Sequence, residues 1–364
     1  MSKLVENMIM PMLVLSLLGS SGCKKEEPIH PTWITYTSEE TGIEDFRTFN
    51  ICSDPHGNIY AVQSTGVENT YNVFYHKKGT ENWTTVEFPF VAHDPYSITD
   101  GNHMQSTTDG SVWLLGREEM VRFKDGKVKQ TYNLSHLIAS GSTVGVSRFA
   151  TYQDQVWLLH GSYGLYNLNT ETGETQHFPQ PGYSGINRLL AIDHQGNKWI
   201  AKRNYGDNVI ALTTDGVWLT ANDPDSLVVC PECATWASPA YENFRGMTVD
   251  SEGNVFLYDY NYRLFRVSDL TIQGMTLSIG YYFDGMTIDH QDQLWFYKTD
   301  RLNPTPQESR LYRYNGGSSP SVVDLTEAFE GNVWPYDLTF DHNNNAWAAT
   351  NMGIAVYNEN GVEF

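Results

Sequence analysis

The chain has 364 residues and a formal net charge of −20, with 43 acidic and 23 basic side chains. This acidity excludes nucleic-acid binding as the main activity, because proteins that hold a phosphate backbone need a basic face. The 22 Tyr, 16 Phe and 10 Trp exclude a disordered chain, and the 30 Gly and 15 Pro indicate short elements joined by turns.

Residues 1–22 read as a secretion signal. Lys3 precedes an apolar run from Met8 to Leu18, which is too short for a bilayer span because a spanning helix needs about 20 residues. Small residues then lead to Cys23, which resembles the lipobox of bacterial lipoproteins. The resemblance implies that Cys23 is lipidated. An ordinary signal with a cysteine there by chance is the alternative.

Residues 23–32 are then the lipidated cysteine and a charged tether. The run from Lys24 to Pro28 resembles the tether by which many Bacteroidetes lipoproteins are exported to the outer face of the outer membrane. A solvated spacer on a periplasmic lipoprotein is the alternative. Either way, the protein is expected in the cell envelope and attached to the membrane only through its lipid.

A short pattern recurs seven times along the rest of the chain. It consists of a hydrophobic strand, a turn opened by Asp, and a second strand that opens with an aromatic residue. The copies are Ser53–Tyr60, Ile192–Trp199, Val249–Phe256, Ile288–Trp295 and Phe340–Trp347, with degenerate copies at Thr108–Trp113 and Tyr152–Trp157. The Asp carboxylate is expected to cap the turn, and Gly or Asn to supply its left-handed residue. The aromatic anchors then pack between neighbouring sheets.

The spacing of these copies predicts the fold. A further strand such as Gly164–Leu168 or Gly353–Tyr357 follows each copy, and then a polar turn and an outer strand, so each unit has four antiparallel strands. The anchors from Tyr60 to Trp347 lie on average about 48 residues apart, which is typical of propeller blades. Residues 33–364 are therefore predicted to form an all-β, seven-bladed β-propeller. Trp33–Tyr36 reads as an outer strand that completes the last blade and closes the ring.

The Asp-x-x-Gly-Asn-x-Trp unit, followed by a strand of the form Gly-[Leu/Ile]-x-x-[Tyr/Phe], resembles the two-component-regulator propeller repeat. That repeat occurs in periplasmic sensor domains of hybrid histidine kinases and in lipoproteins of Bacteroidetes. The unit is also similar, less closely, to the repeat of streptogramin-type lyases. The resemblance implies the fold more than the function, because the repeated residues are structural. No transmembrane helix or kinase follows the repeats, which argues against direct signalling across the inner membrane.

Propellers usually bind ligands at one mouth of the central channel, lined by the starts of the innermost strands and by the loops between second and third strands. Counting back from the repeated Asp places these candidate ligand contacts at the mouth: Arg47, Asn102, Arg148, Arg188, Arg245, Asp284 and Tyr336. The loops between second and third strands add Lys202 and Tyr258. Arginines beside aromatic rings suit a carboxylated or sulfated sugar, through bidentate pairing and stacking. In the alternative interpretation, these arginines satisfy backbone carbonyls and acids around a narrow channel.

The leading functional prediction is a binding or scaffold module whose partner is a glycan or an envelope protein. The first alternative is a lyase acting on polysaccharides or streptogramin-like substrates, which needs a cation for the carboxylate and a base for the adjacent proton. Arg188 or Arg245 would be the cation, and His103, His160 or Tyr336 the base. A periplasmic sensor accessory protein is a third alternative. We expect a monomeric propeller without a cofactor.

A metal site is not expected. Each repeated turn supplies a single acid, whereas a calcium loop needs several oxygen ligands. Histidine follows the Asp in three copies, at His194, His290 and His342, and the turn itself accounts for this regularity.

Three further cysteines follow Cys23. Cys230 and Cys233 lie in the longest gap between anchors, and zinc would need two more suitable ligands nearby. A local disulfide is therefore expected in an envelope compartment, with a redox role as the alternative. Cys52 lies on an innermost strand and is expected to be a buried free thiol.

Overall fold

The structure is a computed structural model. It describes residues 31–43, 46–64, 70–80, 82–91, 103–116, 118–137, 145–180, 186–203, 209–220, 244–259, 263–268, 271–275, 283–298, 309–317 and 319–364. Pro31–Phe364 forms one compact unit. Cys23, Asn102, Cys230 and Cys233 lie outside the described residues, so the lipid anchor and the disulfide stay predictions.

The described residues form seven antiparallel sheets of four strands each. The chain opens with β1 (Trp33–Tyr36) and the short helix α1 (Ser38–Thr41). The first sheet contains β2 (Thr48–Ser53), β3 (Ile59–Ser64), β4 (Thr70–His76) and β5 (Trp83–Val91). The second contains β6 (Met104–Ser106), β7 (Val112–Leu115), β8 (Glu119–Lys124) and β9 (Lys127–Asn133). The third contains β10 (Val146–Tyr152), β11 (Gln155–His160), β12 (Gly164–Leu168) and β13 (Thr175–Pro179).

The remaining sheets repeat this order. The fourth contains β14 (Ile186–Ile192), β15 (Lys198–Arg203), β16 (Val209–Leu212) and β17 (Trp218–Thr220). The fifth contains β18 (Phe244–Val249), β19 (Val255–Asp259), β20 (Leu264–Ser268) and β21 (Thr271–Met275). The sixth contains β22 (Gly285–Ile288), β23 (Leu294–Tyr297), β24 (Arg310–Tyr314) and β25 (Ser321–Asp324). The seventh contains β26 (Pro335–Phe340), β27 (Ala346–Thr350) and β28 (Gly353–Tyr357). Short 3₁₀ helices lie at Ser135–Leu137 and Leu325–Glu327.

The seven sheets are the blades of a closed propeller. Each innermost strand packs against the innermost strands of the two neighbouring blades, and the series ends with β26 against β2. The fourth strand of the seventh blade is β1, which pairs with β28 from Trp33 opposite Tyr357 to Tyr36 opposite Ile354. The predicted fold and the predicted closure by the N-terminal strand are therefore both confirmed.

The repeated Asp caps its turn as predicted. Asp341 Oδ1 accepts hydrogen bonds from the backbone N–H of Asn343 at 2.9 Å and of Asn345 at 3.0 Å. Its Oδ2 accepts from Asn345 Nδ2 at 2.8 Å and from Trp347 Nε1 at 2.9 Å. In four other turns, the backbone N–H groups two and four residues after the Asp likewise donate to its Oδ1, at Asp54, Asp193, Asp250 and Asp289. The carboxylate thus joins the turn to the anchor, because one side chain satisfies several donors.

The second blade shows how the turn tolerates a change of sequence. Thr107 N–H donates to the Ser111 carbonyl, as Asp54 N–H donates to the Asn58 carbonyl. Thr107 therefore takes the place of the repeated Asp. Asp109 lies two residues further on, accepting from Thr107 Oγ1 at 2.7 Å and from Ser111 N–H at 2.9 Å. The turn of this copy thus opens two residues before the Asp recognised in the sequence.

Glycine opens the third strand in two blades because a side chain would not fit there. Gly164 and Gly353 have φ angles of 106° and 134°. A Cβ on Gly353 would lie 2.2 Å from the Tyr36 carbonyl oxygen, and a Cβ on Gly164 would lie 2.6 Å from the Phe178 carbonyl oxygen. The outer strand therefore passes too close to this point for any side chain.

The core lies between the blades. The seven anchor aromatics are all buried: Tyr60, Trp113, Trp157, Trp199, Phe256, Trp295 and Trp347. Trp347 lies parallel to the Tyr36 ring of the closing strand, with centroids 5.9 Å apart. Trp347 also clusters with Phe74 of the first blade and Trp157 with Ile200 of the fourth, which confirms that these anchors pack between neighbouring sheets. Cys52 is a buried free cysteine, also as predicted.

Candidate functional site

The mouth of the channel is marked by a ring of β-bulges. In five blades the pairing of the innermost strand with the second strand shifts near the strand's start. The extra residues are Phe49, Ser147, Arg188, Arg245 and Tyr336. A bulge bends its strand and re-aims a side chain, and bulges are over-represented next to active sites. Arg188, Arg245 and Tyr336 were predicted from the sequence to lie at this mouth.

The structure brings mouth residues together in pairs that join neighbouring blades. Arg245 Nη1 lies 3.5 Å from Asp284 Oδ1, which forms a half-buried ion pair. The rings of Phe49 and Tyr336 are 5.0 Å apart. A third pair links Arg148 to His103, as Arg148 Nη1 lies 3.4 Å from His103 Nε2. Each of these three pairs therefore bridges two neighbouring blades.

The other predicted ligand contacts differ in their access to the mouth. Arg47 is exposed just before β2, whereas Lys202 is buried on β15. Tyr258 is 1% exposed, and its hydroxyl accepts a hydrogen bond from the Phe283 N–H at 3.1 Å. Arg188 stands at the bulge of β14, and its side chain lies outside the described residues.

The three candidate bases of the lyase alternative are all buried. His160 is enclosed at the end of β11, where its Nδ1 accepts from the backbone N–H of Ser162 at 3.0 Å and of Tyr163 at 3.2 Å. Burial lowers the pKa of His160, because desolvation disfavours the charged imidazolium. His103 and Tyr336 are also buried. A general base must come within hydrogen-bond distance of the substrate proton, and these positions restrict that approach.

Asp337 directly follows the bulge of β26. Its Oδ2 accepts from the Ile51 N–H at 3.1 Å and from Asn50 Nδ2 at 3.3 Å. Its Oδ1 accepts from the Leu338 N–H at 2.9 Å and from the Tyr297 hydroxyl at 3.4 Å. One carboxyl group therefore connects the sixth, seventh and first blades at the point of ring closure.

The Asp337 carboxyl makes stability depend on pH. Burial raises its pKa to about 6, above the value of about 3.9 for an exposed Asp. The stability that this group contributes is therefore present below pH 4 and lost as the pH rises through about 6. We expect the free energy of unfolding to fall, relative to Asp337→Asn, by roughly 3 kcal/mol between pH 4 and pH 7. Urea unfolding of both proteins across this range measures the difference, and a constant difference would contradict the assignment.

The turn face, opposite the mouth, carries the repeated aspartates that cap the turns. Among the described residues there is no group of three or more His, Cys, Asp or Glu side chains placed to hold a metal ion. None of the described helices has the length and apolar character that a membrane span requires.

The fold is shared with several solved structures. Virginiamycin B lyase from Staphylococcus aureus is 13% identical, with a TM-score of 0.61 over 89% of this chain and 98% of that chain. The extracellular domain of BT3049 from B. thetaiotaomicron, described as a hybrid two component system, is 14% identical, with a TM-score of 0.58 over 90% of this chain and 41% of that chain. YCF48 from Cyanidioschyzon merolae is 13% identical, with a TM-score of 0.60 over 91% of this chain and 100% of that chain. No family model and no curated protein matches the sequence. At these identities the likeness shows the fold alone, a β-propeller scaffold.

Proposed function

We propose that the protein is a binding module of the cell envelope that holds an acidic glycan at the channel mouth. The observation that carries this proposal is the ring of bulges at the mouth ends of five innermost strands. The bulges at Phe49, Arg245 and Tyr336 present aromatic and guanidinium groups at one rim.

The chemistry of this rim favours an acidic sugar. Phe49 is half-buried at this rim, and its ring can stack on the apolar face of a sugar, with the buried Tyr336 ring packed against it at 5.0 Å. Arg245 is paired with Asp284 at 3.5 Å, a distance at which a ligand carboxylate or sulfate competes for the guanidinium. Arg47 adds an exposed guanidinium beside the start of β2. Absence of binding to every glycan in the panel below would instead favour a protein partner.

The envelope location rests on the signal-like N-terminus and the predicted lipidation of Cys23. The similarity to extracellular domains from B. thetaiotaomicron supports the same location. Lipid labelling of the protein expressed in a bacterial host, with Cys23→Ser as the control, tests the anchor.

A panel of neutral, carboxylated and sulfated glycans tests the mouth. We expect binding to acidic glycans only, and we expect Arg188→Ala with Arg245→Ala to weaken it at least tenfold, or about 1.4 kcal/mol. Arg266→Ala is the matched control, because Arg266 lies on β20 with its partner Glu252 on the turn face. Binding by the double variant equal to that of the wild type would contradict the proposal. Formation of unsaturated uronates from acidic polysaccharides would instead identify a lyase.

A further inference from the structure

One blade departs from the repeat at a buried position. The residue before each anchor is aliphatic in six blades: Ile59, Val112, Val156, Val255, Leu294 and Ala346. The fourth blade has Lys198 there, and its side chain is only 6% exposed. Burying an ammonium group is unfavourable unless it is paired. A local rule broken without an evident compensation often marks a functional position.

The ammonium of Lys198 has an incomplete set of partners. Its Nζ lies 4.1 Å from the centroid of the Trp157 ring in the third blade. The neighbouring acid is Asp193, whose oxygens already accept from the backbone of Gln195 and from the Trp199 indole, among other donors of its turn. Within the described part of the chain, the Lys198 ammonium forms no hydrogen bond or ion pair.

Two other anchor rings are covered by an arginine from the third strand of their own blade, and both arginines are paired. Arg122 lies over the Trp113 ring at 5.4 Å and pairs with Asp109 at 2.6 Å. Arg313 lies over the Trp295 ring at 5.6 Å and pairs with Glu359 at 2.9 Å. A cation over an anchor ring is thus accompanied by a carboxylate in both cases, and Lys198 lacks that carboxylate.

Lys198 lines a cleft of about 340 Å³ between the third and fourth blades. Trp157, Asn167 and Gln176 stand side by side across β11, β12 and β13, so they share one wall of the cleft. Phe178 extends this wall, with its ring centroid 5.1 Å from that of Trp157. The volume lies in the range of about 300–1,000 Å³ that is usual for small-molecule sites. The cleft therefore combines aromatic rings, two amides and an ammonium group.

We propose that this cleft is a second ligand site, for a sugar that carries a carboxylate. The carboxylate would pair with Lys198 and supply the missing partner. The amides of Asn167 and Gln176 would bond hydroxyl groups, and the sugar ring would lie against Phe178 and the edge of Trp157. Lys198 begins β15 directly after the repeated turn, so this site lies toward the turn face and does not depend on the mouth.

Burial lowers the pKa of Lys198, and a bound carboxylate would raise it again. A bound carboxylate would therefore favour the ammonium form of Lys198. Weaker binding at high salt is a direct consequence, because the attraction between the two charges is screened.

The test uses oligogalacturonates titrated into a chain whose mouth carries Arg188→Ala and Arg245→Ala, so that only the cleft is measured. Lys198→Val restores the aliphatic residue of the repeat. We expect it to weaken binding at least tenfold, with a thermal midpoint equal to or above that of the parent. Gln176→Ala, at an exposed position, should weaken binding without affecting folding.

The control ligands are the carboxyl-reduced oligosaccharide, which should not bind, and a polyglutamate peptide of equal charge. Unchanged affinity in both Lys198→Val and Gln176→Ala would overturn the proposal. Preference for polyglutamate over oligogalacturonate would also overturn it, because the cleft would then be a peptide site. If the wild-type mouth proves not to bind glycans, binding at the cleft can still be measured, because the cleft is tested in a chain whose mouth is already mutated.

Discussion

A chain that begins at Ser38 is expected to lose cooperative folding, whereas a chain that begins at Pro31 keeps it. The shorter chain lacks β1 and so leaves the edge of β28 open. It also removes Tyr36, which packs between Trp347 and Trp83 at centroid distances of 5.9 and 5.6 Å. Losing one such buried aromatic costs about 3–5 kcal/mol, a large part of the roughly 5–15 kcal/mol that stabilises a typical domain.

The control keeps the residues that hold the last turn of the chain. Val362 N–H donates to the Pro31 carbonyl at 2.8 Å, and Asn358 N–H donates to the Thr32 carbonyl at 3.1 Å. Thermal unfolding followed by tryptophan fluorescence and circular dichroism compares the two chains. Equal midpoints would show that the seventh blade is stable with three strands, which would contradict the role assigned to β1.

Asp341→Ala is expected to destabilise the protein by about 3–5 kcal/mol, because removing a buried hydrogen-bonded charge leaves its partners unsatisfied. Asp341 is 2% exposed and accepts from two backbone N–H groups, the Asn345 amide and the Trp347 indole. The substitution would leave these donors without their acceptor beneath the turn. Urea unfolding at neutral pH measures the loss.

Asp215→Ala is the matched control for this substitution. Asp215 accepts from Thr213 Oγ1 in the turn between β16 and β17, and it is exposed. Its loss is expected to cost about 1 kcal/mol or less, since water replaces the carboxylate at an exposed cap. Similar losses from both substitutions would mean that the buried network around Asp341 contributes no more than an ordinary turn.

The fold was predictable from the sequence because the same strand–turn–strand pattern occurs seven times. The capping Asp, the left-handed residue and the anchor aromatic recur together, so a degenerate copy can be recognised from its spacing to the clear copies. Thr107 illustrates the limit. Its hydroxyl accepts from the Trp113 indole, while the carboxylate comes from Asp109, so the sequence pattern placed the repeated Asp two residues late. Closure by Trp33–Tyr36 was predictable because that strand had no other sheet to join.

The candidate site was less predictable, because side-chain direction at the mouth depends on bulges. Counting back from the Asp located Arg245 and Tyr336 at the mouth, but a period-two pattern does not reveal where a register shift occurs. Burial of His160 and Tyr258 follows from contacts with other strands and loops, which no single repeat contains. Lys198 was visible as a departure from the aliphatic pattern, and only the structure shows the cleft beside it.

Hydrogen–deuterium exchange with and without an acidic glycan tests the central claim most directly. If the mouth is the binding site, amides at the starts of the innermost strands become protected, above all around Phe49, Arg245 and Tyr336, where the bulges lie. Protection confined to the turns around Asp54 and Asp289, with none at the mouth, would contradict the proposed function.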